Sequence, residues 1–228
     1  RDRRGGSAVT VRWGIVGPGG IARGFAADLA LLDDARITAV ASRSQERADA
    51  FAAEFDVPAA YDDVRALADA PEVDAVYVAT VAARHEPETL LLLEAGKPVL
   101  CEKPFALNAT QARRMADTAS AHGVFCMEAL WSRFLPSYRV LQDVLGEGRI
   151  GDPLQVDAEF ALRWPFDPEH RHFDRSTGGG GLLDLGIYPV QLCTLVLGQP
   201  EQVQVVVGGE HRPELHLRLA QAPDTGPR

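Results

Sequence analysis

A lysine at the end of an apolar run is the residue of this chain best placed for chemistry. Glu102-Lys103-Pro104 closes Pro98-Val99-Leu100-Cys101, which reads as a buried strand. Far upstream, Gly17-Pro18-Gly19-Gly20-Ile21-Ala22 has the form G-x-G-x-x-A. The first Gly of such a loop permits a sharp turn, and the second lets a pyrophosphate approach the backbone. A small third residue lets helix and strand pack closely. The helix that follows offers unpaired N–H groups to phosphate. Glycine-rich turns also occur where nothing binds, but this one follows a strand, opens a helix and precedes a further strand, as a dinucleotide site requires. An ammonium at the carboxyl end of a parallel strand in such a sheet stands where ligands meet.

The end of the second strand bears on which dinucleotide. A site selective for NAD usually places Asp or Glu there to bind the ribose 2′-hydroxyl. Here the residues are Ser42-Arg43. Arginine pairs with a 2′-phosphate and stacks on adenine, so the expected cofactor is NADP, with NAD as the alternative. Thr80 and Val81 end a further strand on the rim of the glycine loop and are expected near the nicotinamide ribose. His85, opening the next helical region, is within reach of the cofactor or of solvent.

Strand and helix alternate to deliver these residues. Val9–Val16 reads as a strand, then a helix from Ile21 with Ile21, Phe25, Leu29 and Leu32 on one face, then a strand over Arg36–Ala41. Ser44 caps a helix whose face is Ala48, Phe51, Ala52 and Phe55. A short strand at Ala59–Tyr61, a helical turn over Asp62–Ala68 and a strand over Val73–Thr80 follow. Pro87 fits the first turn of a helix ending at Ala95, and Gly96 its stop. After the Lys103 strand, Asn108 and Gln111 form a capping box for a helix to His122, and Phe125–Met127 is a last strand. This rhythm predicts an α/β, doubly wound parallel Rossmann sheet over residues 7–128. Residues 129–228 then change to α+β: a helix over Leu135–Leu145, a strand over Leu154–Phe160, and a polar loop over Arg163–Thr177. A helix over Leu182–Leu197 and strands over Val203–Val207 and Glu214–Leu219 complete it, as the start of an antiparallel sheet.

Composition excludes some roles. A net charge of −9 gives no general attraction for nucleic acid or anionic membranes. No segment reaches the ~18 apolar residues that a membrane helix needs, nothing at the amino end reads as a signal peptide, and a cytoplasmic location is expected. Three cysteines without paired spacing suit a reduced compartment, with Cys101 read as a small buried residue. The donor-rich loop with Arg163, His170, Arg171, His172 and Arg175 lacks metal-ligand spacing, so no metal is expected.

Taken in order, the glycine loop, Glu102-Lys103-Pro104, Met127 to Phe134 (MEALWSRF), Gly148-Arg149-Ile150-Gly151-Asp152 and Gly178 to Tyr188 (GGGGLLDLGIY) resemble the glucose-fructose oxidoreductase/inositol dehydrogenase family. They look most like its branch of dimeric dihydrodiol dehydrogenases, which also act as NADP-dependent D-xylose dehydrogenases. The resemblance covers about residues 9–207.

It implies an oxidoreductase that moves hydride between NADP(H) and a hydroxyl or carbonyl carbon of a sugar, polyol or cyclic diol. Lys103 and Tyr188 would be catalytic: many relatives carry histidine where this chain has Tyr188, and in this branch the tyrosine is the general acid/base. Free tyrosine, with a pKa of about 10, is a poor base near neutral pH, and a neighbouring ammonium favours the phenolate. Asp184 and Arg133 would hold substrate. Gly17, Gly19, Gly20, Ile21, Ala22, Ser42, Arg43, Thr80, Val81, His85, Glu102, Lys103, Trp131 and Arg133 would line the cofactor. The alternative is a non-catalytic NAD(P)-binding, redox-sensing protein, which would have no use for Lys103 and Tyr188 together. In the family the second sheet continues well past this chain's last residue. The open antiparallel sheet is therefore expected to be truncated here, with homo-oligomerisation a property of a full-length form.

Overall fold

Valine- and isoleucine-rich runs alternate with amphipathic segments, and each takes the conformation its period demands. The computed structural model describes residues 10–200, 202–207 and 215–220. It divides into two compact units, the first ending at Ala129 and the second beginning at Leu130. The first unit runs β1 (Val11–Val16), α1 (Gly20–Leu29), β2 (Ala35–Ala41), α2 (Gln45–Phe55), β3 (Ala59–Tyr61), α3 (Val64–Asp69), β4 (Ala75–Val78), α4 (Ala82–Glu94), β5 (Val99–Cys101), α5 (Ala109–His122) and β6 (Cys126–Glu128). Its six strands are parallel, in the order β3-β2-β1-β4-β5-β6. That is the doubly wound order, with its switch point between β1 and β4.

The period of two along each strand splits neighbouring residues between two cores. Ile15, Val40 and Tyr77 pack on one face with Ala22, Ala26, Ala48 and Phe51 of the first two helices. Val16, Val76, Val78, Val99 and Cys101 pack on the other with Leu92, Leu93 and Met115. Each large side chain so buried contributes roughly 1.5–3 kcal/mol relative to exposure.

Two helices of the first unit differ from expectation. α1 turns Ala22, Ala26 and Leu29 to the sheet, while Ile21 and Leu32 are more than half exposed. Just after the glycine turn it is the small Ala22 and Ala26 that fit beneath the helix. Phe25 packs along its edge, with its ring 5.4 Å from Trp13 and 4.1 Å from Tyr77. α4 begins at Ala82, so Pro87 lies inside the helix rather than in its first turn. His85, before the proline, and Glu88 and Thr89, after it, are all buried. α5 starts as expected: Asn108 Oδ1 accepts from the Gln111 N–H at 3.0 Å, and Gln111 Oε1 accepts from the Leu107 N–H at 3.0 Å.

The second unit opens with a 3-10 turn, Trp131–Phe134, followed by α6 (Pro136–Gly146). A second 3-10 turn, Arg175–Thr177, leads to α7 (Gly181–Asp184) and α8 (Ile187–Leu197). β7 (Gln202–Val207) and β8 (Leu215–Ala220) pair antiparallel. The strand expected at Leu154–Phe160 does not form. Among the described residues nothing pairs with it, and a strand needs a ladder partner for its N–H and C=O groups. The single helix expected over Leu182–Leu197 breaks at Leu185-Gly186. Pro189 has no N–H to continue the ladder to residue 185, so it sits in the first turn of a new helix, where none is needed.

Candidate active site

In the first unit the sheet hydrogen bonds continue one residue past each strand and pin the residues of its carboxyl rim. The Gly17 N–H donates to Ala41 C=O at 3.0 Å, Ser42 to Tyr61 at 3.0 Å, Ala79 to Val16 at 2.8 Å and Glu102 to Val78 at 2.9 Å. Gly17, Ser42, Thr80 and Lys103, which the sequence singled out separately, thus belong to one edge of one sheet.

The glycine turn fits a dinucleotide. Gly17 has φ +89°, and a Cβ there would lie 2.6 Å from Thr80 Cγ2 and 3.0 Å from the Ala79 backbone. It has to be glycine for the turn to pass the end of β4. A Cβ on Gly19 or Gly20 would meet nothing within 4 Å, so the opposite side of the turn is open for a phosphate to approach. The first intrahelical bond of α1 is from the Arg23 N–H to Gly19 C=O, at 3.2 Å. The amides of Gly20, Ile21 and Ala22 come before it, in the first turn where no intrahelical partner exists. Ser42 is half-buried, its Oγ accepting from the Ser44 N–H at 3.3 Å, and Arg43 beside it is exposed.

Lys103 is positioned through its neighbours. Glu102 is buried, and its carboxylate accepts the Tyr77 O–H through one oxygen and the Lys103 N–H through the other, the latter at 3.1 Å. Burial, with the adjacent Glu102 carboxylate, pushes the Tyr77 phenol well up, so it remains a donor. Glu128 at the end of β6 accepts the Phe105 N–H at 2.8 Å. His85 is buried rather than in solvent: Nδ1 lies 2.8 Å from Pro104 O and Nε2 3.1 Å from Thr80 O. It ties the loop after β5 to the end of β4. Thr80 Oγ donates to buried Glu88 at 2.6 Å, and Arg84 Nε donates to the same carboxylate at 3.0 Å. Cys101 is buried, and burial pushes its thiol up, as for an inert packing residue.

In the second unit, Trp131 Nε1–H donates to Tyr188 Oη at 3.1 Å, and the Phe160 ring lies 5.0 Å from that of Tyr188. Asp184 Oδ2 lies 2.9 Å from His172 Nδ1. Burial and the nearby Arg171 lower the His172 pKa, against the pull of the Asp184 carboxylate. Arg133 is exposed on the Trp131 turn.

Residues 11–130 match the model of an oxidoreductase family with an NAD-binding Rossmann fold, and residues 138–225 match the GFO/IDH/MocA C-terminal domain. The chain belongs to the GFO/IDH/MocA oxidoreductase family. It is similar to the trans-1,2-dihydrobenzene-1,2-diol dehydrogenase of Mus musculus, 45% identical over 204 residues that span 87% of this chain and 60% of that protein. The Homo sapiens protein of the same name is 41% identical over 202 residues, with the same two coverages of 87% and 60%. Among solved structures it is similar to KijD10, a 3-ketoreductase from Actinomadura kijaniata in complex with NADP and TDP-benzene. That match has 33% identity, a TM-score of 0.76, and covers 86% of this chain and 60% of the other. The chain thus spans 60% of the length of these relatives.

Several residues of this member's site carry no motif of their own. Tyr77 reads only as a strand aromatic, and its bond to Glu102 needs β4 and β5 adjacent. Glu128, His172 and Phe160 likewise take their partners from other segments of the chain, while Glu88 takes its own from Thr80 and Arg84 nearby. For Glu128 a signal existed, since it lies in the MEALWSRF stretch already marked by the resemblance.

Proposed function

We propose that this chain is the NADP-binding and acid/base portion of an oxidoreductase acting on a hydroxyl or carbonyl carbon of a sugar, polyol or cyclic diol. The observation that carries the reading is the carboxyl rim of the first unit, where the open glycine turn, Arg43, Thr80 and Lys103 share one sheet edge. The bound nicotinamide would supply the hydride chemistry. First-turn amides of α1 would hold the pyrophosphate, and Arg43 the 2′-phosphate. Lys103 would stabilise charge developing on the substrate oxygen, and Tyr188 would exchange its proton. Asp184, held by His172, would accept a substrate hydroxyl, and Arg133 would bind a substrate oxygen. The relatives' printed names, a diol dehydrogenase and a 3-ketoreductase solved with NADP, support the same class of reaction. Residues 7–128 would form the nucleotide domain and 129–228 the substrate and oligomerisation domain.

Titration of tryptophan fluorescence with NADPH and NADH tests the cofactor, with tighter binding of NADPH expected. Turnover of trans-dihydrobenzenediol and D-xylose with NADP⁺ tests the chemistry. Lys103→Met and Tyr188→Phe should each lower kcat by roughly 10²-fold or more while NADPH still binds. A protein that binds neither dinucleotide would overturn the whole reading. One that binds NADPH but turns over none of a panel of sugars and diols would instead be the non-catalytic binding protein.

A further inference from the structure

We propose that Trp131 is a positioning residue for the Tyr188 hydroxyl; the inference rests on the reading of Tyr188 as acid/base. The indole N–H is a donor and never an acceptor. In the 3.1 Å contact between Trp131 Nε1 and Tyr188 Oη, the phenol oxygen is therefore the acceptor. A phenol O–H lies close to the ring plane and has two directions available. With the indole N–H on one side of the oxygen, the proton is directed to the other. The same donor stays with the oxygen when the proton leaves, so it also serves the phenolate.

The surroundings suit that task. Trp131 lies in a 3-10 turn between two buried residues, Leu130 and Ser132, and the turn is closed by the Arg133 N–H to Leu130 C=O bond at 3.2 Å. Tyr188 is in the first turn of α8, two residues after the glycine that breaks the preceding helix. The Trp131 and Tyr188 rings meet edge-on at 6.2 Å and 65°, and Phe160 flanks Tyr188 at 5.0 Å. Two aromatic neighbours thus flank the phenol ring, and the indole N–H donates to its oxygen. This is a different task from lining the cofactor, which is what the sequence suggested for Trp131.

Two measurements on the full chain test the proposal. In an indole ¹H–¹⁵N spectrum, Tyr188→Phe should move the Trp131 signal upfield and leave those of Trp13 and Trp164 in place. In NADP⁺-linked turnover of trans-dihydrobenzenediol, Trp131→Phe should lower kcat roughly tenfold with KM changed by less than about twofold. Benzothienylalanine at position 131, which puts sulfur in place of the N–H at nearly constant shape, should reproduce that loss even if the phenylalanine variant folds poorly. An unmoved indole signal, or full kcat with the sulfur analogue, overturns the positioning role while leaving Tyr188 as acid/base. Retention of kcat to within about tenfold by Tyr188→Phe overturns the acid/base reading itself, and the inference with it.

Discussion

The Lys103 main chain is tied to a buried side chain next to it. The carboxylate of Glu102 is buried and takes its donors from Tyr77 and from the Lys103 main chain. A buried carboxylate that loses a donor bears the cost of desolvation without compensation. Tyr77→Phe is therefore expected to lower unfolding stability by about 1–3 kcal/mol, measured by urea denaturation, and to reduce turnover as the Lys103 loop shifts. A different charge adds a small acid sensitivity. The Arg12 side chain donates two hydrogen bonds to Asp74 and holds its carboxyl down from 3.8 to about 2. A depressed folded pKa contributes stability above the unfolded value, and that contribution is lost as pH falls through the folded value. The pair is more than a third exposed, so solvent screening keeps the effect small. Asp74→Asn should slightly lower the thermal midpoint at neutral pH, and the gap to the parent chain should close between pH 3.8 and about 2.

At the scale of elements, the two glycines of one loop do separate work. Gly17 has positive φ and presses against the end of β4, whereas Gly19 faces open space. Gly17→Ala should destabilise the fold by about 2 kcal/mol through strain and collision. Gly19→Ala should fold with near-parental stability yet bind NADPH at least tenfold more weakly, because its Cβ occupies the path of the phosphate. Thermal melts and NADPH titrations of the two variants separate these outcomes, and equal effects on both properties would contradict the division. A comparable constraint acts at the α7–α8 break, where a Cβ on Gly186 would collide with Leu182 O. There the Gly186 N–H reaches back to Gly181 C=O at 2.8 Å, so the chain makes a tight turn just before Tyr188.

For the whole molecule, every strand pairing of the six-stranded sheet closes within the first unit, and so do both buried cores. A fragment ending at Ala129 should therefore unfold cooperatively by circular dichroism and bind NADPH, but show no turnover without Tyr188. Among its described residues the second unit buries few large side chains and leaves Val140, Ile150, Leu154 and Phe166 more than half exposed. The sequence by itself determined the doubly wound order of elements, the glycine turn, the rim position of Lys103 and most helix ends. These rest on local period, capping and turn chemistry, which neighbouring residues carry. Only the tertiary structure decided that Tyr77 and Glu102 meet, that His85 faces inward to Thr80 and Pro104, and that Trp131 donates to Tyr188. It also decided that Leu154–Phe160 stays unpaired among the described residues. The Tyr77–Glu102, His85–Pro104 and Trp131–Tyr188 contacts each depend on which residue from a distant part of the chain lies opposite. Hydrogen bonds and burial between distant segments leave no periodic mark on either segment alone.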